Sequence, residues 1–314
     1  MVGWYQVKQL VFTGMKALLS YIFGNYSDRR EVQAALSGSD PYDFSDADEL
    51  WFDYVSDVGD GFNSTYSVAK LVAQEQLTFG SETTQRGDIL IMGGDQVYPT
   101  PEMHEYENRL KGPYQSAFPR NNHQPSPALF AIPGNHDWYD GLTNFLKVFC
   151  QERHIGQWQT YQKRSYWAVQ LPHRYWIWGI DIQLNSDIDQ PQKNYFADII
   201  EQCMQPGDKV ILCTAEPSWV FKDRYRQEDS YERLRFFEER FILGNQLELV
   251  ATLSGDLHHY SRYAKMENGE ETMQRITAGG GGAFLHPTHN LNYHLRKVED
   301  EDLNKIGLNN LRNS

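Results

Sequence analysis

Hydrophobic runs of four to eight residues punctuate the middle of the chain, and most end in Asp, Gly, Asn or His. They are Trp51–Ser56, Ile89–Met92, Ala128–Ile132, Tyr166–Leu171, Tyr175–Ile182, Val210–Thr214, Leu247–Leu253 and Met273–Thr277. Near-continuous apolar runs of this length read as strands covered on both faces. Longer segments with helical spacing lie between them: Thr65–Leu77, Leu142–Arg153, Gln192–Met204 and Tyr231–Leu243. Alternation of strand and helix predicts an α/β domain with covered sheets. The segment Pro99–Ser126, rich in Pro, Asn and charge, reads as a long insertion after a strand, where substrate-shaping loops collect.

Three regions follow. Residues 1–48 combine an amphipathic helix with a polar linker, 49–295 form the main domain, and 296–314 form a polar tail. The N-terminal helix draws its stripe from Leu10, Val11, Met15, Leu18, Leu19 and Ile22. Lys8 and Lys16 interrupt the apolar run from Val7 to Phe23, so no membrane span is expected. Two placements of the helix stay open: packing onto the domain, which is favoured, and peripheral contact with a membrane.

With 29 basic against 42 acidic residues the net charge is −13, and nucleic acid is a disfavoured partner because polyanions need a basic footprint. An enzyme whose metal ions supply local positive charge remains compatible. Cys150, Cys203 and Cys213 are odd in number and widely spaced. They read as reduced core thiols, which favours the cytoplasm over an oxidising compartment.

Four strand ends carry polar clusters that packing does not explain. They are Ser56-Asp57-Val58-Gly59-Asp60-Gly61, Gly93-Gly94-Asp95-Gln96-Val97-Tyr98-Pro99, Pro133-Gly134-Asn135-His136-Asp137 and Ser254-Gly255-Asp256-Leu257-His258-His259. Ligands of α/β sheets gather beyond the carboxyl ends of strands. Carboxylates converging there repel one another, and a bound cation relieves the repulsion. Asp, Asn, Glu and His together suit Mn²⁺, Fe or Zn²⁺, with Mg²⁺ also compatible.

The order Asp57-x-Gly59, Gly94-Asp95-x-x-Tyr98, Gly134-Asn135-His136-Asp137 and Gly255-x-x-His258 resembles the calcineurin-like metallophosphoesterases, closest to their purple-acid-phosphatase-like branch. The resemblance covers about residues 51–290. It implies a four-layer α-β-β-α sandwich of two mixed sheets with a dinuclear metal centre between loop tips. It implies hydrolysis of a small-molecule phosphate ester, mono- or diester, by a metal-activated hydroxide. Carried over residue by residue, Asp57 and His258 bind the first metal, with Tyr98 as the tyrosine ligand. Asp95 bridges both metals, and Asn135 gives an amide oxygen to the second. His136 contacts phosphate or protonates the leaving alkoxide, and Asp137 orients that imidazole.

Two departures fall on the second metal. Glu216 stands where a His is usual, and Asp256 replaces the first His of the last motif. The resulting set of Asp95, Asn135, Glu216 and Asp256 is harder and more negative, which shifts the expectation toward Mn²⁺ or Mg²⁺ and away from Zn²⁺. The competing reading is a catalytically silent metal-binding module that serves protein interaction. Four further features lie near these motifs. His259 should face away from the site. Gly279–Gly282 is either a flexible loop or a close backbone approach to the site, His286 and His289 are candidate cleft residues, and Trp138 and Tyr139 are candidate rim residues.

Overall fold

The computed structural model describes residues 2–3, 6–23, 33, 36, 38, 40–182, 188–225, 228–267, 270–295 and 303–305. In chain order the strands are β1 (Tyr42–Asp43), β2 (Phe52–Val55), β3 (Gln76–Phe79), β4 (Glu82–Gln85), β5 (Ile89–Met92), β6 (Ala128–Ala131), β7 (His154–Ile155), β8 (Trp158–Thr160), β9 (Trp167–Gln170), β10 (Tyr175–Gly179), β11 (Lys209–Cys213), β12 (Glu248–Ser254), β13 (Tyr260–Glu267), β14 (Glu270–Ala278), β15 (His294–Leu295) and β16 (Leu303–Lys305). The main helices are α1 (Val7–Phe23), α2 (Phe62–Val72), α3 (103–117, with a π-helical middle at Tyr106–Lys111), α4 (Thr143–Phe149), α5 (Gln190–Cys203), α6 (Ser218–Tyr225) and α7 (Glu228–Phe237).

Two mixed sheets stack face to face. The smaller runs β2-β5-β6-β8-β7 and the larger β1-β9-β10-β11-β12-β14-β13-β16-β15, while β3 and β4 form a separate hairpin. Strand periodicity explains the four layers. Ile89 and Ile91 of β5 face the other sheet, meeting Trp167, Val169, Ile177 and Leu253, while Leu90 and Met92 face Tyr106, Leu110, Phe145 and Phe149 of α3 and α4. On the far side Trp176 and Trp178 of β10 pack against Phe196, Ile199, Leu234 and Phe237 of α5 and α7. Asp189 caps α5 by accepting from the Gln192 N–H at 2.9 Å, with Pro191 in the first turn.

Strands β2, β5 and β6 are mutually parallel, as are β11, β12 and β14. Their carboxyl ends meet at one end of the sandwich, so the polar clusters are brought together there.

The predicted strands and helices are present with shifted ends. The helix expected over Thr65–Leu77 stops at Val72, and Leu77 lies in β3. The expected insertion Pro99–Ser126 contains α3, whose buried Tyr106, Leu110 and Tyr114 make it part of the core. Composition assigned 1–48 and 296–314 to linker and tail, yet β1 pairs with β9 and β16 with β13. Backbone pairing at a sheet edge needs little apolar side chain, so these strands leave no hydrophobic signature. Most of the linker and tail lies outside the described residues. Cys203 is exposed and so is not a core thiol, unlike buried Cys213.

Helix α1 packs onto the domain as favoured, but through its polar side. Gln9, Thr13, Lys16 and Ser20 are half-buried and face the domain. Lys16 Nζ pairs with Glu102 at 2.7 Å, and the Ser20 hydroxyl donates to the Tyr139 carbonyl at 2.9 Å. The apolar stripe points outward instead.

Candidate metal centre

Asp57, Asp95, Asp256 and His258 are four of the nine non-glycine residues with positive φ among the described residues, at 59°, 51°, 66° and 44°. Left-handed backbone costs an L-residue on the order of 1 kcal/mol or more, and such strain concentrates at functional sites. It arises because each strand must turn sharply to present its side chain inward. Glycine makes room: a β-carbon at Gly134 would stand 2.1 Å from Asp95 Oδ1, and one at Gly279 would stand 2.5 Å from Asp57 Oδ2. The Gly279–Gly282 run is thus a close backbone approach, tied down by Gly281 N–H donating to Ser56 O at 2.8 Å.

Asp57, Asp95 and His258 each offer a ligand atom within 4.8 Å of the others, and all three are buried. The Tyr98 hydroxyl lies among them, 3.0 Å from Asp57 Oδ1, 3.1 Å from Asp95 Oδ2 and 3.0 Å from His258 Nε2. One hydroxyl carries one hydrogen, so three acceptors around it oppose lone pair to lone pair. A cation among these atoms removes the conflict. His258 is prepared for it: Nδ1 faces the Phe284 carbonyl at 2.7 Å, which can only accept, so Nε2 keeps its lone pair.

Asn135 supplies an independent sign. Its Oδ1 is buried with no hydrogen-bond partner, while Nδ2 donates to Tyr139 Oη at 3.2 Å. An orphaned buried amide oxygen is costly and fits a metal ligand.

The electrostatics agree. Burial raises the Asp57 carboxyl to about 7, against opposing hydrogen bonds from Ser56, Tyr98 and the Asp256 N–H. Burial, then the neighbouring Asp57, raises Asp95 to about 8. Asp256 is pushed well up by burial and by Asp95, Asp57 and Glu216. Among the described residues no Lys or Arg forms an ion pair with Asp57, Asp95 or Asp256. His258 and His136 are held neutral, each lowered to about 4 chiefly by burial. The donor set is therefore hard, anionic and uncompensated, and a divalent cation fits it.

The remaining predicted residues fall less evenly. Asp256 joins the cluster through its backbone N–H, 3.0 Å from Asp57 Oδ2. Glu216 accepts from the Ser230 hydroxyl, and burial raises its carboxyl above the usual range against the opposing Ser230 bond and Arg233. His136 N–H donates to Asp95 Oδ1 at 2.9 Å, and its Nδ1 faces the Pro99 carbonyl at 2.9 Å.

Asp137 does not orient that imidazole. Its carboxylate accepts from Tyr106 Oη at 2.6 Å, Gly134 N at 2.9 Å and Gln96 N at 3.2 Å. It braces the two loops that carry Asp95 and Asn135. Trp138 is also not a rim residue, since it is buried with Nε1 on Asp181 at 3.0 Å; Tyr139 sits on His136, with ring centroids 4.9 Å apart, and Tyr98 packs on the same ring at 4.5 Å.

His286 stacks on His258 at 4.8 Å, whereas His289 is exposed. Buried His259 lies in the bend between β12 and β13 rather than on a strand, with Nε2 3.2 Å from Ser261 Oγ. Tyr106 and Ser230 escaped sequence reasoning because they act from separate segments with no motif of their own, and Gln96, inside the second cluster, acts through its backbone N–H.

The profile of the calcineurin-like phosphoesterases matches residues 50–260, and the chain belongs to that family. No curated protein matches the chain by sequence. Among solved structures, a purple acid phosphatase from yellow lupin (Lupinus luteus) superposes with a TM-score of 0.51 at 10% identity, covering 79% of this chain and 47% of that one. A structure of PhoD gives a TM-score of 0.48 at 13% identity, over 74% of this chain and 57% of that one. The chain thus spans about half the length of the solved structures it matches. The first likeness supports the four-layer fold.

Proposed function

We propose that the chain is a metal-dependent hydrolase of phosphate esters with a dinuclear, manganese-preferring centre. The observation that carries this reading is the convergence of Asp57, Asp95 and His258 on one hydroxyl, with no Lys or Arg paired to the carboxylates among the described residues and with Asn135 Oδ1 buried and orphaned. Asp57, Tyr98 and His258 would hold the first metal, Asp95 would bridge, and Asn135, Asp256 and Glu216 would hold the second. When bound, such metals supply Lewis acidity and a water of lowered pKa.

The chain's own residues do the rest. Asp57 and Asp95 lose their protons to the bulk as cations enter, because a positive charge reverses the penalty of burial. The Pro99 carbonyl fixes the His136 tautomer, so that Nε2 carries the lone pair. An anionic ester raises the proton affinity of His136, which then carries the proton that the departing alkoxide needs. Tyr139, packed on His136, limits water around that proton.

The test is metal removal and separate restoration of Mn²⁺, Mg²⁺, Fe²⁺ and Zn²⁺, with an aryl phosphomonoester and the matching diester as substrates. Turnover best with Mn²⁺, lost in Asp95→Asn and reduced in His136→Ala, is the expected result. The competing reading, a silent metal-binding module, draws on the engagement of Glu216 by Ser230, which leaves the second set less complete. Metal binding without turnover on either ester would favour it.

A further inference from the structure

We propose that α1 docks the chain on a phospholipid bilayer surface through its outward apolar face, beside the metal centre. The helix is inverted relative to a surface helix of a globular domain, which buries its apolar stripe. Val7, Leu10, Val11, Met15 and Leu18 are 73%, 51%, 59%, 56% and 57% exposed. At the α-helical repeat these five fall within an arc of roughly 140°. The polar residues Gln9, Thr13, Lys16 and Ser20 occupy the opposite side and face the domain. Lys16 and Ser20 are anchored to Glu102 and the Tyr139 carbonyl, so the polar stripe is the attached one. A contiguous exposed apolar face of this size marks an interaction surface.

Charge selects the occupant. The first 27 residues hold Lys8 and Lys16 and no Asp or Glu, in a protein of net charge −13. Exposed Lys8 lies within the outward face. Pairing two copies of this face would bury Lys8 with no carboxylate on α1 to meet it, which is costly. A bilayer surface has no such penalty, because the lysine stem lies along the apolar layer while its ammonium reaches headgroup phosphates. No described helix is long and apolar enough to cross a membrane, and α1 is held to the domain through Lys16 and Ser20, so the arrangement is one of lying on the surface.

A second apolar projection lies beside the metal centre. Leu285 is 74% exposed and Phe284 40%. They follow Ala283, which packs with Val2, ahead of α1, and with Tyr98 of the metal centre. Phe284 also holds His258 through its carbonyl. Both projections thus border the site, and a bilayer bound there would lie against its rim.

The inference concerns the surface and stands whichever reaction the metal centre performs. The experiment is flotation of the whole protein with phosphatidylcholine vesicles, beside a Val11→Asp/Leu18→Asp variant. Both side chains are exposed, so circular dichroism, melting and turnover of a soluble aryl phosphate should be unchanged in the variant. The wild type is expected to float with the vesicles, and the variant's bound fraction to fall ~10-fold or more. A wild type that stays with the unbound protein, or a variant that floats equally well, overturns the proposal. A wild type that does not float but sediments as a dimer, which the variant dissociates, also overturns it and assigns the face to a second copy.

Discussion

Two clusters of buried charge in this fold make opposite use of the same physics. Glu238, just after α7, and Arg275, in β14, are both almost fully buried and face each other as an ion pair. Arg275 Nη2 donates to Glu238 Oε2 at 2.9 Å, Nη1 donates to Thr252 Oγ1 at 2.9 Å, and the guanidinium lies over Trp219. The charges are compensated within the chain. Asp57 and Asp95 are equally buried but have no Lys or Arg partner among the described residues, and two neutral imidazoles beside them add no charge. The first cluster is complete without a ligand, and the second is complete only with one.

The largest expected effect breaks the open cluster. Asp95→Asn should lower turnover by on the order of 10³-fold, because it removes a carboxylate from the proposed metal site. In the metal-free protein above about pH 8, where both carboxyls are charged, the same substitution should raise the melting temperature, since one buried repulsion is gone. A variant that loses both activity and metal-free stability would show that Asp95 is structural.

Opening the closed cluster should have the reverse profile. Arg275→Met leaves Glu238 buried and uncompensated, at a cost of about 3–5 kcal/mol in denaturant unfolding. Metal affinity of the folded fraction should be unchanged. The double change Glu238→Gln/Arg275→Met should recover most of the loss.

Metal itself should act on one cluster alone, and with a definite pH trend. Asp57 and Asp95 hold protons up to about 7 and 8 in the metal-free fold, far above the usual carboxylate value. From about pH 4 to 8 the folded state therefore binds more protons than the unfolded chain, and metal-free stability falls as pH rises. Bound Mn²⁺ removes that fall and adds about 2.7 kcal/mol at a hundred times its dissociation constant. Parallel melting curves with and without metal across this range would expose the difference; identical slopes would mean the carboxylates are not the ligands.

The smallest effect concerns the brace between loops. Tyr106→Phe removes the 2.6 Å bond to Asp137 and should cost about 1 kcal/mol, with a several-fold loss of turnover from misplaced Asp95 and Asn135. Unchanged turnover with lowered stability would confine Asp137 to packing.

Much of this was legible before the fold was seen. β5 coincides with the apolar run Ile89–Met92, because a strand covered on both faces must be apolar throughout. Asp57, Asp95, Tyr98, Asn135 and His258 were legible as short motifs at strand ends, where a turn and a ligand share a few residues. The role of Asp137 was not, since Tyr106 lies 31 residues away in a helix that read as loop. Trp138 looked like a rim residue until Asp181, from another strand end, claimed its indole.

Local pattern alone determined the α/β class, the order of strands and helices, and the residue types gathered for a metal, because these depend on periodicity and on neighbours a few positions apart. Only the tertiary structure decided which carboxylates lack a counter-charge, which way Asp137 turns and which face of α1 is covered. Burial, pairing and orientation are set by segments far apart in the chain, and the pattern along α1 is the same whether its apolar stripe faces the core or the solvent.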